Sequence, residues 1–320
     1  MATTIFLVNP QTFPSSTSYL LDTYSATAAY SLRQLKTGVT SVVRVRRSGD
    51  NTESDFTADE VSDGTLLSWV TASGTQGFVT DWYDQTGNGN HITQATTSLQ
   101  PRIINSSALE TWVGGEPCIK FDGVNDILAL GSGLSALNSG NNYSVALCYS
   151  LESAPAGARQ IVTTNSSGTS SNARFSINEG YDSPNFRSVI VRNTSTTNYV
   201  IDRGSAISLS TRYLGFSIND SSLNMSYFMN SSSIGTNTYT GSYVNDNLEV
   251  GGSTSFGAYG EYKIPELIIF GTDESANRTA IESDINTHYS IYLDGDRDWE
   301  TYYQLIVYVQ MQSLLIDYQR

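Results

Sequence analysis

Charged side chains are scarce in this 320-residue chain, where Asp, Glu, Lys and Arg together make up 15% of the residues. An average globular protein has about a quarter. Solubility must therefore come from the abundant Ser, Thr, Asn and Gly. This composition is typical of a β-rich, loop-rich extracellular or virion protein, and it argues against a helical cytosolic enzyme.

Basic residues are scarcer still: 17 Lys and Arg stand against 31 Asp and Glu, which gives a net charge of −14. Such a field repels phosphate backbones and anionic membrane surfaces, so we expect neither nucleic acid nor a membrane as a partner. One local cluster comprises Arg44, Arg46 and Arg47. Strand alternation puts Arg44 and Arg46 on one face, which we interpret as a solvated or ion-paired strand face.

Cysteine and histidine are nearly absent, with Cys118, Cys148, His91 and His288 as the only members. Two cysteines make no disulfide framework, and no spacing suggests a zinc site. Both cysteines lie in strand-like apolar stretches, so we predict buried free thiols.

Long hydrophobic runs are also missing, and no stretch approaches the ~20 apolar residues of a membrane span. The first ten residues have no basic region ahead of their short apolar run, so we expect no signal peptide and synthesis in a cytoplasm. A surface-type composition without an export signal is typical of proteins that assemble inside a host and leave with the virion.

Short β-type stretches with turn residues between them dominate the chain. This regular alternation of strands and turns predicts a two-sheet sandwich. Between residues 24 and 35 we predict a short helix or turn, and over 59–70 a short amphipathic helix. Ile281, Ile285, Tyr289 and Tyr292 have helical spacing and predict one longer helix over 274–292. The predicted strands are 39–47, 77–83, 119–121, 127–130, 143–151, 186–192, 212–218, 223–229, 248–250 and 262–270.

Composition divides the chain into an N-terminal arm (1–18), a β-sandwich domain (19–292) and a C-terminal docking segment (293–320). Apolar residues alternate along the docking segment with the period of a strand. An aromatic, apolar strand that follows a completed domain must pack against another surface. It packs either on its own domain or on a neighbouring subunit, and the sequence leaves both open. Its candidate docking residues are Tyr303, Leu305, Val307, Val309 and Met311.

Several segments resemble known families. Residues 29–33 (AYSLR), 43–51 (VRVRRSGDN) and 78–91 (FVTDWYDQTGNGNH) resemble the catalytic domain of fungal α-L-arabinofuranosidase B, of glycoside hydrolase family 54. Residues 119–126 (IKFDGVND) and 281–286 (IESDIN) resemble concanavalin A-like, laminin-G-type domains of tailed-phage structural proteins. The resemblance covers roughly residues 20–292 and implies a concanavalin A-like β-sandwich, or jelly roll, with one C-terminal amphipathic helix and extended terminal arms.

The arabinofuranosidase resemblance implies a Glu nucleophile and an Asp acid/base, since retaining glycosidases need two carboxyl groups about 5–5.5 Å apart. Glu179 in the FSINE run (175–179) takes the nucleophile position, but LEVGGS (248–253) puts Ser253 where the Asp belongs. Serine cannot protonate a glycosidic oxygen at a useful pKa. Glu249 lies four residues before it, and nothing in the sequence places Glu249 opposite Glu179. The family's adjacent cysteine pair is absent too, so we expect a protein that is not an enzyme.

The block from Asp84 to His91 has a functional and a structural interpretation. Asp84, Asn88 and Asn90 could bind calcium. However, position twelve of an EF-hand loop is Ala95 instead of a bidentate Glu, and Asn88-Gly89 is a turn signal. We favour a structural turn and expect no cofactor, with calcium as the one ion that the block would accept.

Aromatic side chains are the candidates for carbohydrate binding, because sugar sites combine aromatic faces with a few polar groups. The chosen residues are Trp82, Tyr83, Tyr181 and Tyr259. Our expectation is a non-enzymatic phage virion protein: a capsid decoration, head-fibre or tail-associated protein that exposes a lectin-like domain. Its partners would be other virion proteins, further copies of itself and surface glycans. The alternatives are an arabinofuranosidase-type hydrolase using Glu179, and a free glycan-binding lectin.

Overall fold

The computed structural model describes residues 18–154, 157, 159–165, 173–179, 187–205, 207–243 and 245–292. The N-terminal arm up to residue 17, Tyr181 and the docking residues Tyr303, Leu305, Val307, Val309 and Met311 lie outside this part.

The described part contains nineteen strands and four α-helices, so the predicted mostly-β architecture is confirmed. The helices are α1 (Leu20–Thr23), α2 (Ala58–Ser62), α3 (Thr65–Thr71) and α4 (Arg278–Tyr289). The first strands are β1 (Ala28–Ser31), β2 (Val43–Arg47), β3 (Glu53–Phe56), β4 (Gly77–Trp82), β5 (Ile92–Thr93), β6 (Arg102–Asn105), β7 (Ala108–Leu109), β8 (Ile119–Asp122) and β9 (Leu128–Leu130). The others are β10 (Tyr143–Leu151), β11 (Arg159–Asn165), β12 (Arg174–Glu179), β13 (Arg187–Arg192), β14 (Asn198–Asp202), β15 (Tyr213–Asn219), β16 (Asn224–Met229), β17 (Ser232–Thr238), β18 (Asn247–Val250) and β19 (Glu261–Phe270).

The strands form one large antiparallel sheet that folds over on itself into two layers. The helix-side layer follows the pairing β17–β16–β15–β10–β19, and β19 continues to β1 and β8. The far layer follows β9–β18–β11–β12–β13–β14. Strands β8, β6, β4 and β5 join the layers along one side. On the other side β14 approaches β17, where Asn237 Nδ2 donates to the Val200 carbonyl over 2.8 Å. The sheet is thereby nearly closed.

The main hydrophobic core lies between the two layers. Tyr143 of β10 packs edge-on against Phe175 of β12, with ring centroids 5.3 Å apart. A second core lies on the outer side of the helix-side layer, where Ile281, Ile285 and Tyr289 of α4 cover it. Strand β10 is buried along its whole length because apolar layers cover both of its faces.

Cys118 and Cys148 belong to this second core and are free and buried, as predicted. Burial raises the pKa of both thiols above the usual range, so neither is a reactive thiolate.

One predicted element is wrong. Residues 28–31, placed in a short helix or turn from sequence, form strand β1. All four are buried and pair with Glu266–Ile269 of β19, so tertiary pairing overrides the helix propensity of the two alanines. The predicted 59–70 helix is divided into α2 and α3, because Gly64 adopts a left-handed φ of 93° between them. Among the described residues, no helix has the length and apolar character needed to cross a membrane.

Candidate functional site

Glu179, the candidate nucleophile, points into the main core, where its side chain is 1% exposed. Both of its oxygens accept hydrogen bonds from the Arg203 guanidinium, each at 2.8 Å. The Tyr149 hydroxyl of the opposite layer donates a further bond of 2.6 Å. Burial raises the pKa of Glu179, and Arg203 and Tyr149 oppose that rise. Glu179 thus joins the two layers through a buried ion pair.

Glu249 lies on the other side of the far layer. Glu249 of β18 is directly opposite Thr163 of β11, which is opposite Ser176 of β12. Directly paired residues share a face, and successive residues alternate, so Ser176 faces away from the core whereas Glu179 faces it. The two carboxylates are therefore on opposite faces of one sheet, with the backbone between them.

This outer face of β11, β12 and β18 is an unusual layer of buried polar groups. Gln160, Asn178 and Ser253 are each at most 2% exposed. The Gln160 Oε1, Asn178 Oδ1 and Ser253 Oγ atoms are buried without a hydrogen-bond partner. Leaving a buried acceptor unpaired costs free energy, and each of these three atoms can accept a further hydrogen bond.

The glycine pair before Ser253 has a structural role. Gly251 has a φ of 94°, and a Cβ there would overlap the Phe121 ring. A Cβ on Gly252 would overlap the Tyr259 ring. The Val-Gly-Gly motif therefore forms a tight corner between β18 and the loop that carries Tyr259. Tyr259 is half-buried and lines a cavity of about 150 Å³ with Asp122, Arg159 and Glu261.

Trp82 must be corrected as a carbohydrate-binding candidate. Its side chain is 0% exposed in the main core, with its ring 5.9 Å from that of Tyr30. A fully buried ring offers no face to a sugar. The alternation of β4 explains this, because Trp82 is on the inward face and Tyr83 follows it at the surface.

Asp84 forms the centre of a structural turn. Its carboxylate accepts bonds from the amides of Ala29, Thr86 and Asn90 at 3.0–3.1 Å, and from the Thr86 hydroxyl at 2.8 Å. The Asn88 and Asn90 side chains both donate to the Thr27 carbonyl, at 3.0 and 2.9 Å. These contacts match the structural interpretation of the block. Over the described residues, no group of three or more His, Cys, Asp or Glu side chains is arranged to hold a metal ion.

An open cavity of about 400 Å³ lies against this turn. We call it the Tyr83 groove. Its lining includes the candidate Tyr83 and His91 of the Asp84–His91 block, and also Lys36, Asp55 and the loop 37–41, which the sequence did not single out. The block therefore borders a groove, but the residues from β3 and the β1–β2 connection carry no local signal that would have placed them there.

Tyr83 is held in a fixed orientation in the groove wall. Its hydroxyl donates to Asp55 Oδ1 over 2.7 Å, and Asp55 also forms a two-point ion pair with Arg44 at 2.6 and 3.0 Å. Burial and the neighbouring Asp55 raise the pKa of Tyr83, so the hydroxyl stays protonated. Arg47 pairs similarly with Asp50 at 2.6 Å. The predicted ion-paired strand face therefore holds for Arg44 and Arg47. Arg46 is instead buried, and its guanidinium donates to Gln100 Oε1 over 2.7 Å and to Asn51 Oδ1 over 2.8 Å.

His91 completes this wall. Its ring lies edge-on to Tyr83, with centroids 5.0 Å apart. The Asp84 amide donates to His91 Nδ1 over 3.0 Å. The neutral ring therefore carries its proton on Nε2, which makes Nε2 a hydrogen-bond donor.

Comparisons with known proteins agree with this fold. No protein-family model matches the chain, and no curated protein matches it. A crystal structure of a GH54 α-L-arabinofuranosidase with a cyclic sulfate inhibitor superposes with a TM-score of 0.57 at 14% identity, covering 81% of this chain and 62% of that one. An arabinofuranosidase complexed with arabinofuranosyl-α-1,2-xylobiose gives 0.57 at 12% identity, with the same coverage of both chains. A Trypanosoma rangeli sialidase in complex with sialic acid gives only 0.47 at 12% identity, over 64% of this chain and 31% of that one.

At these identities the likeness shows the fold alone. The chain spans less than two thirds of the arabinofuranosidase chain that it matches. The sequence resemblance to arabinofuranosidases is thus confirmed as a shared fold.

Proposed function

We propose that this chain is a non-enzymatic structural protein of a phage virion, and that its β domain is a concanavalin A-like jelly roll. The domain is exposed on the particle as a capsid decoration, head-fibre or tail-associated protein and binds glycans as a lectin does. Its partners are other virion proteins, further copies of the chain and surface glycans.

The observation that carries the non-enzymatic part is the separation of the carboxylates. A retaining glycosidase needs both on one face about 5–5.5 Å apart. Glu179 faces the core in a buried pair with Arg203, whereas Glu249 points from the opposite face. Ser253, in the position that the resemblance gives to the acid, has no proton to donate at a useful pKa. This arrangement supports a domain that keeps an arabinofuranosidase-type fold without its chemistry.

The virion part rests on composition and resemblance. The chain has few charged residues and a net charge of −14, as expected of a particle surface. Residues 119–126 and 281–286 resemble domains of tailed-phage structural proteins. The two layers with a helix packed on one of them, and a polar outer face on the other, support the jelly-roll assignment.

An arabinofuranosidase-type hydrolase is the second candidate, favoured by the shared fold. A chromogenic assay separates the two. We expect the full-length chain to release no 4-nitrophenol from 4-nitrophenyl α-L-arabinofuranoside above the buffer rate. Release by the wild type that Glu179→Gln abolishes would overturn the proposal, provided the variant remains folded.

Particle incorporation tests the virion part. We expect a chain lacking residues 294–320 to fold but to be absent from purified particles, while the full chain co-purifies. If the truncated chain is incorporated equally, the docking role of the segment is wrong. If neither form associates with particles, the free lectin becomes the better assignment.

A further inference from the structure

We propose that the Tyr83 groove is a saccharide-binding site for an uncharged, hydroxyl-rich sugar. This inference rests on the proposed lectin-like function and gives it a location. The cavity of about 400 Å³ falls within the range of small-ligand sites, about 300–1,000 Å³. It is open to solvent, unlike the buried polar layer around Glu249.

The walls of the groove are fixed before any ligand arrives. Gln85 Oε1 accepts the Leu35 amide at 2.7 Å, and Gln85 Nε2 donates to the carbonyls of Ser31 and Arg33 at 2.9 Å. These bonds attach the β1–β2 connection to the turn at Asp84. A preformed site loses little conformational entropy on binding, which favours the weak, polar contacts typical of sugars.

Tyr83 supplies the aromatic surface. The ring is half-buried and lines the groove, and it is held by Asp55 at its hydroxyl and by His91 at its side. The C–H groups of a sugar ring pack on an aromatic side chain, and a ring with a fixed orientation binds them without losing rotamer freedom.

Hydrogen-bonding groups surround this ring. The His91 Nε2–H is a donor, and it has no hydrogen-bond partner within the described part of the chain. The Asp55 carboxylate is an acceptor beside the Tyr83 hydroxyl. Thr40 and Ser41 line the same cavity, and their hydroxyls can donate or accept. Donors and acceptors around an aromatic ring match the alternating roles of sugar hydroxyls.

The charges of the groove indicate that the ligand is neutral. Asp55 is paired with Arg44, and Asp84 accepts hydrogen bonds from four donor groups of its own turn and of β1. Lys36 Nζ donates to the Thr86 carbonyl over 2.7 Å. Each charged lining group already has a partner, and the net charge of −14 repels acidic ligands. Phosphorylated and sialylated glycans are therefore disfavoured.

The two histidines of the chain provide a direct readout by NMR. We would titrate the full-length protein with xylotriose, maltotriose, arabinotriose, lactose and sialyllactose and follow the imidazole signals, assigned with His288→Gln. We expect at least one neutral sugar to shift the His91 signals and leave those of His288 in place, while sialyllactose shifts neither. We expect Tyr83→Ala to weaken that binding about tenfold or more, and Tyr83→Phe, which keeps the ring but loses the bond to Asp55, to weaken it less.

Tyr213→Ala is the matched control, because it removes a half-buried tyrosine whose hydroxyl is also hydrogen-bonded, accepting the Ser208 amide over 2.9 Å, and which does not line the Tyr83 groove. Its affinity should remain within about twofold of the wild type. If sugars bind the wild type but Tyr83→Ala leaves the affinity unchanged, or if Tyr213→Ala abolishes it, the groove is not the site, although the lectin-like function stands. If no sugar in the panel shifts His91, the groove assignment is wrong. A preference for sialyllactose would overturn the neutral ligand class.

Discussion

Glu179 illustrates at the scale of a single residue how environment determines the role of a carboxylate. The sequence predicts a nucleophile position, but the structure gives the side chain an arginine and a tyrosine from within the core. Burying a charge costs free energy unless it is paired and hydrogen-bonded, and here it is both. We therefore expect a replacement of Glu179 to change the stability of the fold.

We expect Glu179→Gln to lower the free energy of unfolding by about 3–5 kcal/mol, because Arg203 is left buried without its counter-charge. Urea denaturation at pH 7 measures this. The control is Asp55→Asn, which breaks an ion pair whose side chains are 40% and 39% exposed and should cost under about 1 kcal/mol. Equal, small effects of both substitutions would contradict a buried, paired Glu179.

Asp126 is predicted to make stability depend on pH. Burial and the neighbouring Asp122 raise the pKa of its carboxyl to about 7. The folded-state pKa lies above the unfolded value of about 3.9, so the folded chain holds the proton more tightly. The contribution is complete below about pH 4 and is lost as the pH rises through 7.

Asp126→Asn removes this titration and keeps an oxygen for the Asp122 amide, which now donates to Asp126 Oδ2 over 2.9 Å. We expect the two proteins to have similar stability at pH 4, and the variant to be the more stable by at most about 4 kcal/mol above pH 7. Denaturant titrations at several pH values measure the difference. A difference that does not change with pH would show that Asp126 is not perturbed.

At the scale of elements, the Gly251-Gly252 corner explains why two glycines precede Ser253. Gly251 needs both its left-handed backbone and the space beside Phe121. We expect Gly251→Ala to destabilise the fold by about 3 kcal/mol or more. Gly257 is the matched control: its φ is also positive, at 58°, but a Cβ there would meet nothing within 4 Å.

Gly257→Ala should thus cost only about 1 kcal/mol, the backbone part of the effect. Thermal unfolding of the two variants beside the wild type makes the comparison. If both lose the same stability, the contact with Phe121 is not what requires glycine at position 251.

Elements with strong periodicity could be predicted from sequence, and others could not. Strand β10 was predicted with its observed bounds, and α4 lies inside its predicted range. Strands β11 and β12 mix Thr, Ser, Gln and Asn with their apolar residues, because their outer face is a buried polar layer, and alternation alone does not reveal them. Strand β1 became a strand only through its pairing with β19.

The candidate site was predictable in the same partial way. Trp82, Tyr83 and the adjoining block from Asp84 to His91 were found because they are contiguous and because the block is rich in turn signals. Asp55, which orients Tyr83, comes from a different strand, and only the fold brings the two together. Trp82 and Tyr83 are adjacent in sequence, but successive side chains of a strand point to opposite faces. Trp82 therefore lies in the core and Tyr83 at the surface.

At the scale of the whole molecule, attachment and recognition are assigned to different parts of the chain. The docking segment 293–320 is assigned to assembly by its sequence, whereas the Tyr83 groove lies within the described domain. We expect light scattering to give an oligomeric mass for the full chain and a monomeric mass after deletion of residues 294–320. Monomers in both cases would exclude self-association as the role of the segment.

The central claim is that the domain binds glycans without cleaving them. Mass spectrometry of the glycans that the full-length protein retains from a mixed neutral oligosaccharide pool, arabinoxylan fragments included, tests both halves together. We expect a subset to be retained and recovered intact after overnight incubation. Shortened products or free arabinose that appear only with the protein would contradict it and favour the hydrolase, and a pool that passes unretained would contradict the lectin-like function.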